Sequence, residues 1–299
     1  MRFVLVEPSH PGNVGSTARA MRVMGLTDLV LVSPRLPEAA RHPDAIAFAS
    51  GATDILARCR VVPDLDAALA DVSLAIAVSA ATRAFGPDPL EPEAAAALAL
   101  DEVARAPQAT VALVFGTERT GLLITHVLRC QALLSIPGAP EYNSLNLAQA
   151  VQIVAWELRK AALARAVAGA HPPATGGAPA GAPASALAGA REAPRSEAPA
   201  PGSAPAMADG TQIERLFAHL EQALVAVRFL DPEHPKKLMP RLRRLFARTR
   251  LEVEEVELLR GLCKQMLLAA AHRLPRVEAH AAAVQEPHPA HEPPREDGR

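Results

Sequence analysis

The sequence predicts an α/β fold, with a mostly parallel sheet covered by helices on both faces and a small all-helical domain behind it. Two observations predict this. Residues 1–167 alternate between short apolar runs and helical patterns, which is typical of a sheet built from βα units. Residues 210–275 carry only helical periodicity, and an Ala/Pro/Gly-rich stretch at 168–209 separates the two parts.

The first part contains short apolar runs of the length expected for buried strands. They are residues 3–6, 29–32, 74–78, 111–115 and 132–136, with a possible short extra strand at 60–62. Helical patterns lie between them at 16–24, 45–56, 65–70 and 93–104, and a long helix follows at 145–167.

The stretch 168–209 has almost no large apolar residue, so we expect a disordered linker that tethers the next unit without rigid docking. In that unit, Thr211 and Glu214 have the spacing of a capping box at the start of a first helix. Pro240 falls in the first turn of a second helix, and a third helix begins near residue 252. We expect the tail, residues 276–299, to be disordered.

Composition excludes several classes of protein. The net charge of −1 gives no global attraction to nucleic acid, and the three cysteines form no C-x-x-C pair. We therefore expect neither a zinc site nor disulfides. The N-terminal segment has too few consecutive apolar residues for a signal peptide, so we expect none. No apolar run approaches the roughly 18 residues that a membrane-spanning helix needs. These features predict a cytoplasmic protein without metal or membrane.

Three segments place Gly, Asn or Ser where an apolar strand should end and a helix should begin. They are EPSHPGNVGSTARAM (7–21), LVFGTERTGL (113–122) and SIPGAPEYNSLNLAQAV (135–151). In an open α/β sheet, ligands bind at the carboxyl ends of the strands. The three segments therefore predict one site that is assembled from distant parts of the chain.

In the first segment, Gly12 and Gly15 suggest a tight turn, after which Ser16 or Thr17 caps the helix that carries Arg19. The G-x-x-G spacing disfavours both a dinucleotide-binding loop and a phosphate loop. Arg22, one turn beyond Arg19, is either a phosphate contact or a solvent-facing charge.

The second and third segments supply further candidates. Gly116 follows a strand and suggests close approach of a ligand to the backbone, while Glu118 either caps the following N–H groups or binds. Asn143, Ser144 and Asn146 bracket the expected start of the long helix, where a capping role and a binding role are compatible.

These segments resemble the three motifs of the SpoU-like RNA 2′-O-ribose methyltransferases, a family of the knotted SPOUT class. The matching patterns are N-x-G-x-x-x-R, F-G-x-E-x-x-G-L and S-L-N-x-A-x-A, in the family's order. The resemblance implies a C-terminal trefoil knot in the sheet domain, S-adenosylmethionine as cofactor, and a homodimer. It implies a cofactor site at Val78, Ser79, Ala80, Gly116, Ile136, Asn143, Ser144 and Leu145. Members of the family often carry Thr at the place of Val78 and Ser at the place of Asn143.

The resemblance also implies catalytic roles for Arg19, Ser144 and Asn13. An arginine side chain stays protonated in proteins, so we expect Arg19 to stabilise the developing alkoxide and position the RNA phosphate. Ser144 would orient the ribose hydroxyl, and solvent or phosphate would accept its proton.

The C-terminal unit contains a run of basic residues. Between residues 234 and 250 there are seven Lys or Arg residues and no acid, which favours contacts with RNA phosphates. The expected RNA-binding residues are Arg22, Lys236, Lys237, Arg241, Arg243, Arg244 and Arg248.

The C-terminal unit also resembles the C-terminal extension of a bacterial subgroup that methylates cytidine or uridine at nucleotide 32 of the tRNA anticodon loop. The alternatives are a 2′-O-methyltransferase for ribosomal RNA or another tRNA nucleotide, and a non-catalytic RNA-binding protein of the same fold.

Overall fold

The computed structural model describes residues 1–80, 86–106, 108–170 and 205–282. Most of the predicted linker and most of the predicted tail lie outside these residues.

The described residues form a seven-stranded sheet in which every paired strand runs parallel to its neighbour. Its order is β3-β2-β1-β6-β4-β7-β5. The strands are β1 (Arg2–Val6), β2 (Asp28–Val32), β3 (Arg60–Val62), β4 (Leu74–Val78), β5 (Pro89–Leu90), β6 (Val111–Phe115) and β7 (Ala132–Leu134). The predicted parallel sheet is confirmed. Only β5 was not predicted, because two residues carry no readable pattern.

Ten α-helices accompany the sheet in the described part of the chain. They are α1 (Pro11–Val23), α2 (Pro43–Ala49), α3 (Thr53–Arg58), α4 (Leu65–Leu69), α5 (Pro92–Arg105), α6 (Ile124–Val127), α7 (Leu147–Ala170), α8 (Gly210–Ala226), α9 (Leu238–Thr249) and α10 (Val253–Ala282). The single helix expected at 45–56 is divided into α2 and α3 by a short 3₁₀ turn, Ser50–Ala52. The last helix continues to Ala282, beyond residue 275, after which the sequence predicted a disordered tail.

Side chains that alternate along the strands fill two separate apolar layers. In β1, Phe3 and Leu5 face a layer shared with α1, α2, α3, α5 and α7, while Val4 and Val6 face a layer shared with α4 and α6. The Phe3 and Phe115 rings stack with centroids 5.8 Å apart in the first layer. Helices therefore cover both faces of the sheet, as predicted.

The first helix begins earlier than the sequence suggested. Pro11 occupies its first turn, where the missing N–H is tolerated, so Gly12, Gly15, Ser16 and Thr17 lie inside α1. The expected tight turn and the expected Ser16 or Thr17 cap are therefore wrong. At Gly15 a Cβ would lie 2.1 Å from the carbonyl oxygen of Ala45, so this glycine allows α1 and α2 to approach closely.

The cap of α8 also differs from the prediction. Asp209 accepts a hydrogen bond from the Gln212 N–H at 2.8 Å, and Gln212 Oε1 accepts one from the Asp209 N–H at 2.9 Å. The capping box is thus formed by Asp209 and Gln212, two residues before the predicted pair, because the Asp209 carboxylate reaches the free N–H of the first turn.

The helices α8–α10 contact the sheet domain directly, so the expectation of a tethered but undocked unit does not describe this structure. The Gly210 N–H donates to Val72 O and the Thr211 hydroxyl donates to Ala70 O, both at 3.0 Å. At Glu102, which is only 1% exposed, the carboxylate lies 2.7 Å from Arg250 Nη2. Val72 precedes β4 and Glu102 lies on the helix before β6, so the unit docks at the amino ends of the strands. The three motifs lie at the opposite, carboxyl ends.

Candidate active site

The carboxyl ends of β4, β6 and β7 open into a cavity of about 270 Å³. This volume is close to the lower limit of about 300 Å³ that is typical of ligand pockets in proteins. Apolar side chains such as Phe115 and Leu147 line it together with the loop 116–121 and the start of α7. Its walls include every predicted cofactor residue: Val78, Ser79, Ala80, Gly116, Ile136, Asn143, Ser144 and Leu145. The structure therefore brings these eight residues, from four separate segments of the chain, to one cavity.

A chain of hydrogen bonds joins the three motifs beside this cavity. Asn13 Nδ2 donates to Glu118 Oε1 at 3.0 Å, and Asn146 Nδ2 donates to Asn13 Oδ1 at 3.0 Å. Because each of these side chains belongs to a different motif, the network holds three remote segments in register. Asn13 and Glu118 therefore have a positioning role that the sequence pattern alone did not reveal.

Glu118 is the centre of this network. Its carboxylate accepts hydrogen bonds from the Ser9 N–H, the Ser9 hydroxyl and the His10 N–H, in addition to Asn13. Burial raises the pKa of Glu118, but the hydrogen bonds from Asn13 and Ser9 outweigh it and hold the pKa below its usual value. Glu118 is therefore ionised, and its carboxylate joins the loop after β6 to the loop after β1. Ser9 was not singled out from the sequence, although a polar residue just after a strand is a usable signal.

Gly116 has a structural role that the sequence did not predict. A Cβ at this position would lie 2.1 Å from the Gly121 carbonyl carbon and 2.2 Å from Leu122 N. Thr117 and Gly121 are paired by backbone hydrogen bonds of 3.0 and 3.2 Å, which fold the loop back on itself. The glycine therefore lets the cavity loop close against its own backbone.

The long helix starts two residues later than predicted, at Leu147, and Asn146 caps it. The Asn146 Oδ1 atom accepts the Ala148 N–H at 2.9 Å. Asn143 and Ser144 precede this cap, on an exposed loop at the cavity wall. Asn146 is therefore the residue that caps α7, whereas Asn143 and Ser144 line the cavity.

The predicted catalytic residues do not all line the same surface. Ser144 lines the cavity, whereas Arg19 is exposed on α1 and lines a shallow groove with Phe48, Val23 and Asn146. Asn146 belongs to this groove and bonds Asn13, so the hydrogen-bond network lies between the two surfaces. Within one chain, the structure does not bring Arg19 into the cavity.

Several predicted RNA-binding residues have acidic partners. Arg22 Nη1 donates to Asp54 at 2.6 Å, and both Arg244 and Arg248 contact Asp88, at 2.8 and 3.4 Å. These ion pairs are partly exposed, so each contributes little to stability.

Arg243 is held more firmly than the other basic residues. It forms two hydrogen bonds with Glu214, of 2.6 and 2.7 Å, and its guanidinium lies 4.2 Å from the centre of the Phe217 ring. Arg129 of the sheet domain approaches the same Glu214 at 3.2 Å. This geometry favours a role for Arg243 in holding α9 against α8 over a contact with RNA. Lys236, Lys237 and Arg241 instead line a separate open hollow.

Residues 1–80, 86–106, 108–170 and 205–282 contain no cluster of three or more His, Cys, Asp or Glu arranged to hold a metal ion. Within the same ranges no helix has the length and apolar character needed to cross a membrane.

Comparison with known proteins gives two family matches. Residues 1–156 match the SpoU rRNA Methylase family, and residues 211–276 match the C-terminal domain of the tRNA methyltransferase TrmJ. The tRNA (cytidine/uridine-2′-O-)-methyltransferase TrmJ of Klebsiella pneumoniae is 42% identical over 264 residues, which cover 88% of this chain and 94% of that protein.

Solved structures show the same relationship. The crystal structure of TrmJ from Z. mobilis ZM4 is 28% identical with a TM-score of 0.67, covering 89% of this chain and 98% of that one. A probable methyltransferase from Bordetella pertussis is 48% identical with a TM-score of 0.51, covering 54% of this chain and 94% of that one. The carboxyl-end cavity, the three joined motifs and these matches lead to one conclusion: the chain belongs to the SpoU methylase family and, within it, to the TrmJ group of tRNA methyltransferases.

Proposed function

We propose that this protein transfers a methyl group from S-adenosylmethionine to the ribose 2′-hydroxyl of cytidine or uridine at nucleotide 32 of the tRNA anticodon loop. The observation that carries the proposal is the single cavity lined by all eight expected cofactor residues, with the three motifs joined beside it. The relatives named tRNA (cytidine/uridine-2′-O-)-methyltransferase support the reaction and the substrate class. The choice of nucleotide 32 depends on the resemblance of the C-terminal unit.

The donor set of the cavity fits S-adenosylmethionine. Val78, Phe115 and Ile136 offer an apolar wall of the kind an adenine ring requires, while the backbone of 116–121 and the polar groups of Asn143 and Ser144 offer hydrogen-bonding partners. When bound, the cofactor supplies an electrophilic methyl group.

The residues of the chain then have three tasks in the proposed mechanism. Ser144 orients the ribose hydroxyl, and Arg19 stabilises the alkoxide that develops on it as a permanently charged guanidinium. Asn13 keeps α1 aligned with the cavity loop through Glu118 and Asn146. Solvent or the RNA phosphate accepts the proton, since arginine remains charged.

We further propose that the active form is a homodimer in which Arg19 serves the cavity of the partner subunit. Two observations support this: Arg19 lies outside the cavity of its own chain, and exposed apolar side chains surround its groove. Val23 and Phe48 line the groove and are more than half exposed, and Trp156 on α7 is 48% exposed. Such side chains are candidates for burial between subunits.

The dimer has a direct test. Light scattering at working concentration should give twice the mass of the chain, and a monomer would contradict the proposal. Arg19→Ala mixed with an inactive Ser144→Ala variant should regain partial activity, because one mixed site contains both intact residues. No recovery would indicate self-contained sites.

The trefoil knot is a further part of the proposal. The insertion of β7 between β4 and β5, with Ser135 N donating to Leu90 O at 3.0 Å, supports a late segment passing through the earlier chain. Slow refolding after complete denaturation would agree with it.

Mass spectrometry of tRNA nucleosides with and without the gene tests the activity. We expect loss of a 2′-O-methyl pyrimidine that maps to nucleotide 32, restored by purified protein and S-adenosylmethionine. Loss at another tRNA nucleotide or in ribosomal RNA would replace the substrate, and no loss with RNA binding retained would indicate a non-catalytic protein.

A further inference from the structure

The turn between α8 and α9 contains an aromatic side chain that the catalytic site does not use. Phe229 is 69% exposed, in a chain with only seven Phe, one Trp and one Tyr. A ring of this size exposes considerable apolar surface to water, and stacking against another flat group would remove part of it.

The backbone holds Phe229 in a defined position. Arg228 adopts a left-handed conformation with φ of 61°, its N–H donates to Val225 O at 2.9 Å, and the Phe229 N–H donates to Leu224 O at 2.9 Å. This is the Schellman pattern, which closes the end of a helix. The next residue, Leu230, is buried. The ring is therefore exposed while the backbone on both sides of it is fixed.

The surroundings of the ring are basic. Phe229 lines an open hollow together with Lys236, Lys237 and Arg241, which come from the turn and the start of α9. Asp231 and His234 also line it, and His234 Nδ1 lies 3.2 Å from Asp231 Oδ2, so the carboxylate of Asp231 is turned toward a partner within the hollow. Three cations thus stand beside one exposed aromatic face.

We propose that Phe229 is a stacking platform for an unpaired nucleotide of the tRNA, with the adjoining phosphates on Lys236, Lys237 and Arg241. The combination of an aromatic face and a cationic groove is how proteins hold single-stranded nucleic acid, because every base has a flat face and every nucleotide a phosphate. A protein partner that covers Phe229 would not require three cations at its edge. The inference rests on the proposed function, since it assigns a further contact to the same substrate.

The experiment measures binding of a fluorescently labelled tRNA transcript to the full-length protein by anisotropy, between about 50 and 200 mM salt. Phe229→Leu should weaken binding about tenfold, because loss of a stacked base typically costs that much, and should leave the salt dependence unchanged. Phe229→Trp should retain the affinity. Lys236→Ala should reduce the slope of log affinity against log salt by about 0.7, the value of one phosphate contact on a single strand.

Leu258→Ala provides the matched control, because Leu258 is 70% exposed and lies on α10 outside the hollow. It should bind tRNA as the unaltered protein does. Unchanged affinity in Phe229→Leu, or equal losses in the Leu and Trp variants, would overturn the stacking platform. A change of molecular mass in Phe229→Leu by light scattering would overturn it too, since the ring would then be a contact between subunits.

A second measurement does not depend on any variant. Photocrosslinking of the unaltered protein to tRNA containing 5-iodouridine should attach a nucleotide at Phe229, located by mass spectrometry, and attachment only elsewhere would contradict the proposal. Methylation of the same tRNA, followed in parallel, tests the proposed function separately. Absent methylation with an intact Phe229 dependence would contradict the activity alone.

Discussion

Replacement of Glu118 by Gln tests the network that joins the three motifs. The carboxylate accepts from four donor atoms: Ser9 N, Ser9 Oγ, His10 N and Asn13 Nδ2. A glutamine keeps one acceptor oxygen but turns an NH₂ group toward Ser9, and it removes the charge. A hydrogen bond to a charged group contributes about 1.5–3 kcal/mol, so we expect Glu118→Gln to lower the free energy of unfolding by about 2 kcal/mol.

Thermal unfolding measures this change. For a domain of this size, about 2 kcal/mol corresponds to a melting temperature lower by about 4–8 °C. The pKa of Glu118 is lowered in the folded state from its ordinary value of 4.5. The stabilisation is therefore complete above that value and is lost as the pH falls through the folded pKa. The difference between the two proteins should accordingly be full at neutral pH and shrink in acid.

Glu141→Gln is the control, because Glu141 is an exposed carboxylate near the same cavity and should change stability by less than about 0.5 kcal/mol. Equal melting temperatures for Glu118→Gln and the unaltered protein at neutral pH would refute the reasoning. The network would then be a consequence of the fold and would not hold the motifs together.

Three further predictions concern the loops, the basic residues and the cofactor. Gly116→Ala should lower both thermal stability and S-adenosylmethionine affinity in calorimetry, because its Cβ would meet backbone atoms at 2.1 Å, while Gly51→Ala, with nothing within 4 Å, should change neither. Arg243→Ala should lower the melting temperature by breaking its paired bonds to Glu214, whereas Arg248→Ala should weaken tRNA binding at unchanged melting temperature; the reverse pattern would contradict our assignment of the two residues. Calorimetry in excess EDTA should give unchanged S-adenosylmethionine binding, and a metal requirement would contradict the proposed site.

The five inner strands β1, β2, β4, β6 and β7 were predictable because they are buried on both faces and so appear as unbroken apolar runs. β4 and β6 begin and end at the predicted residues. The start of α1 was not predicted, because its capping residue is His10, which makes no side-chain cap, and the signal lies in Pro11 instead. Gly12 and Gly15 were interpreted as turn residues, since sequence alone does not show that α2 packs against them.

The cavity residues were predicted from the resemblance, and the fold explains why they meet. The pairing of the basic residues could not be predicted, because Glu214 lies 29 positions from Arg243 and belongs to another helix. A count of the charged residues in the basic run therefore does not distinguish Arg243 from Lys236. In the structure Arg243 holds α8 and α9 together, whereas Lys236 lines an open hollow.

Under the proposed function, the docking of the helical unit at the amino ends of the strands sets a minimum length for the RNA substrate. A five-residue strand such as β6 spans about 17 Å, and within one subunit this height separates the docked unit from the cavity. An RNA that engages both must extend at least that far. An isolated anticodon loop carries the ribose at which we propose methylation but lacks the stem, so under the proposed function we expect it to be a poorer substrate than the whole anticodon arm.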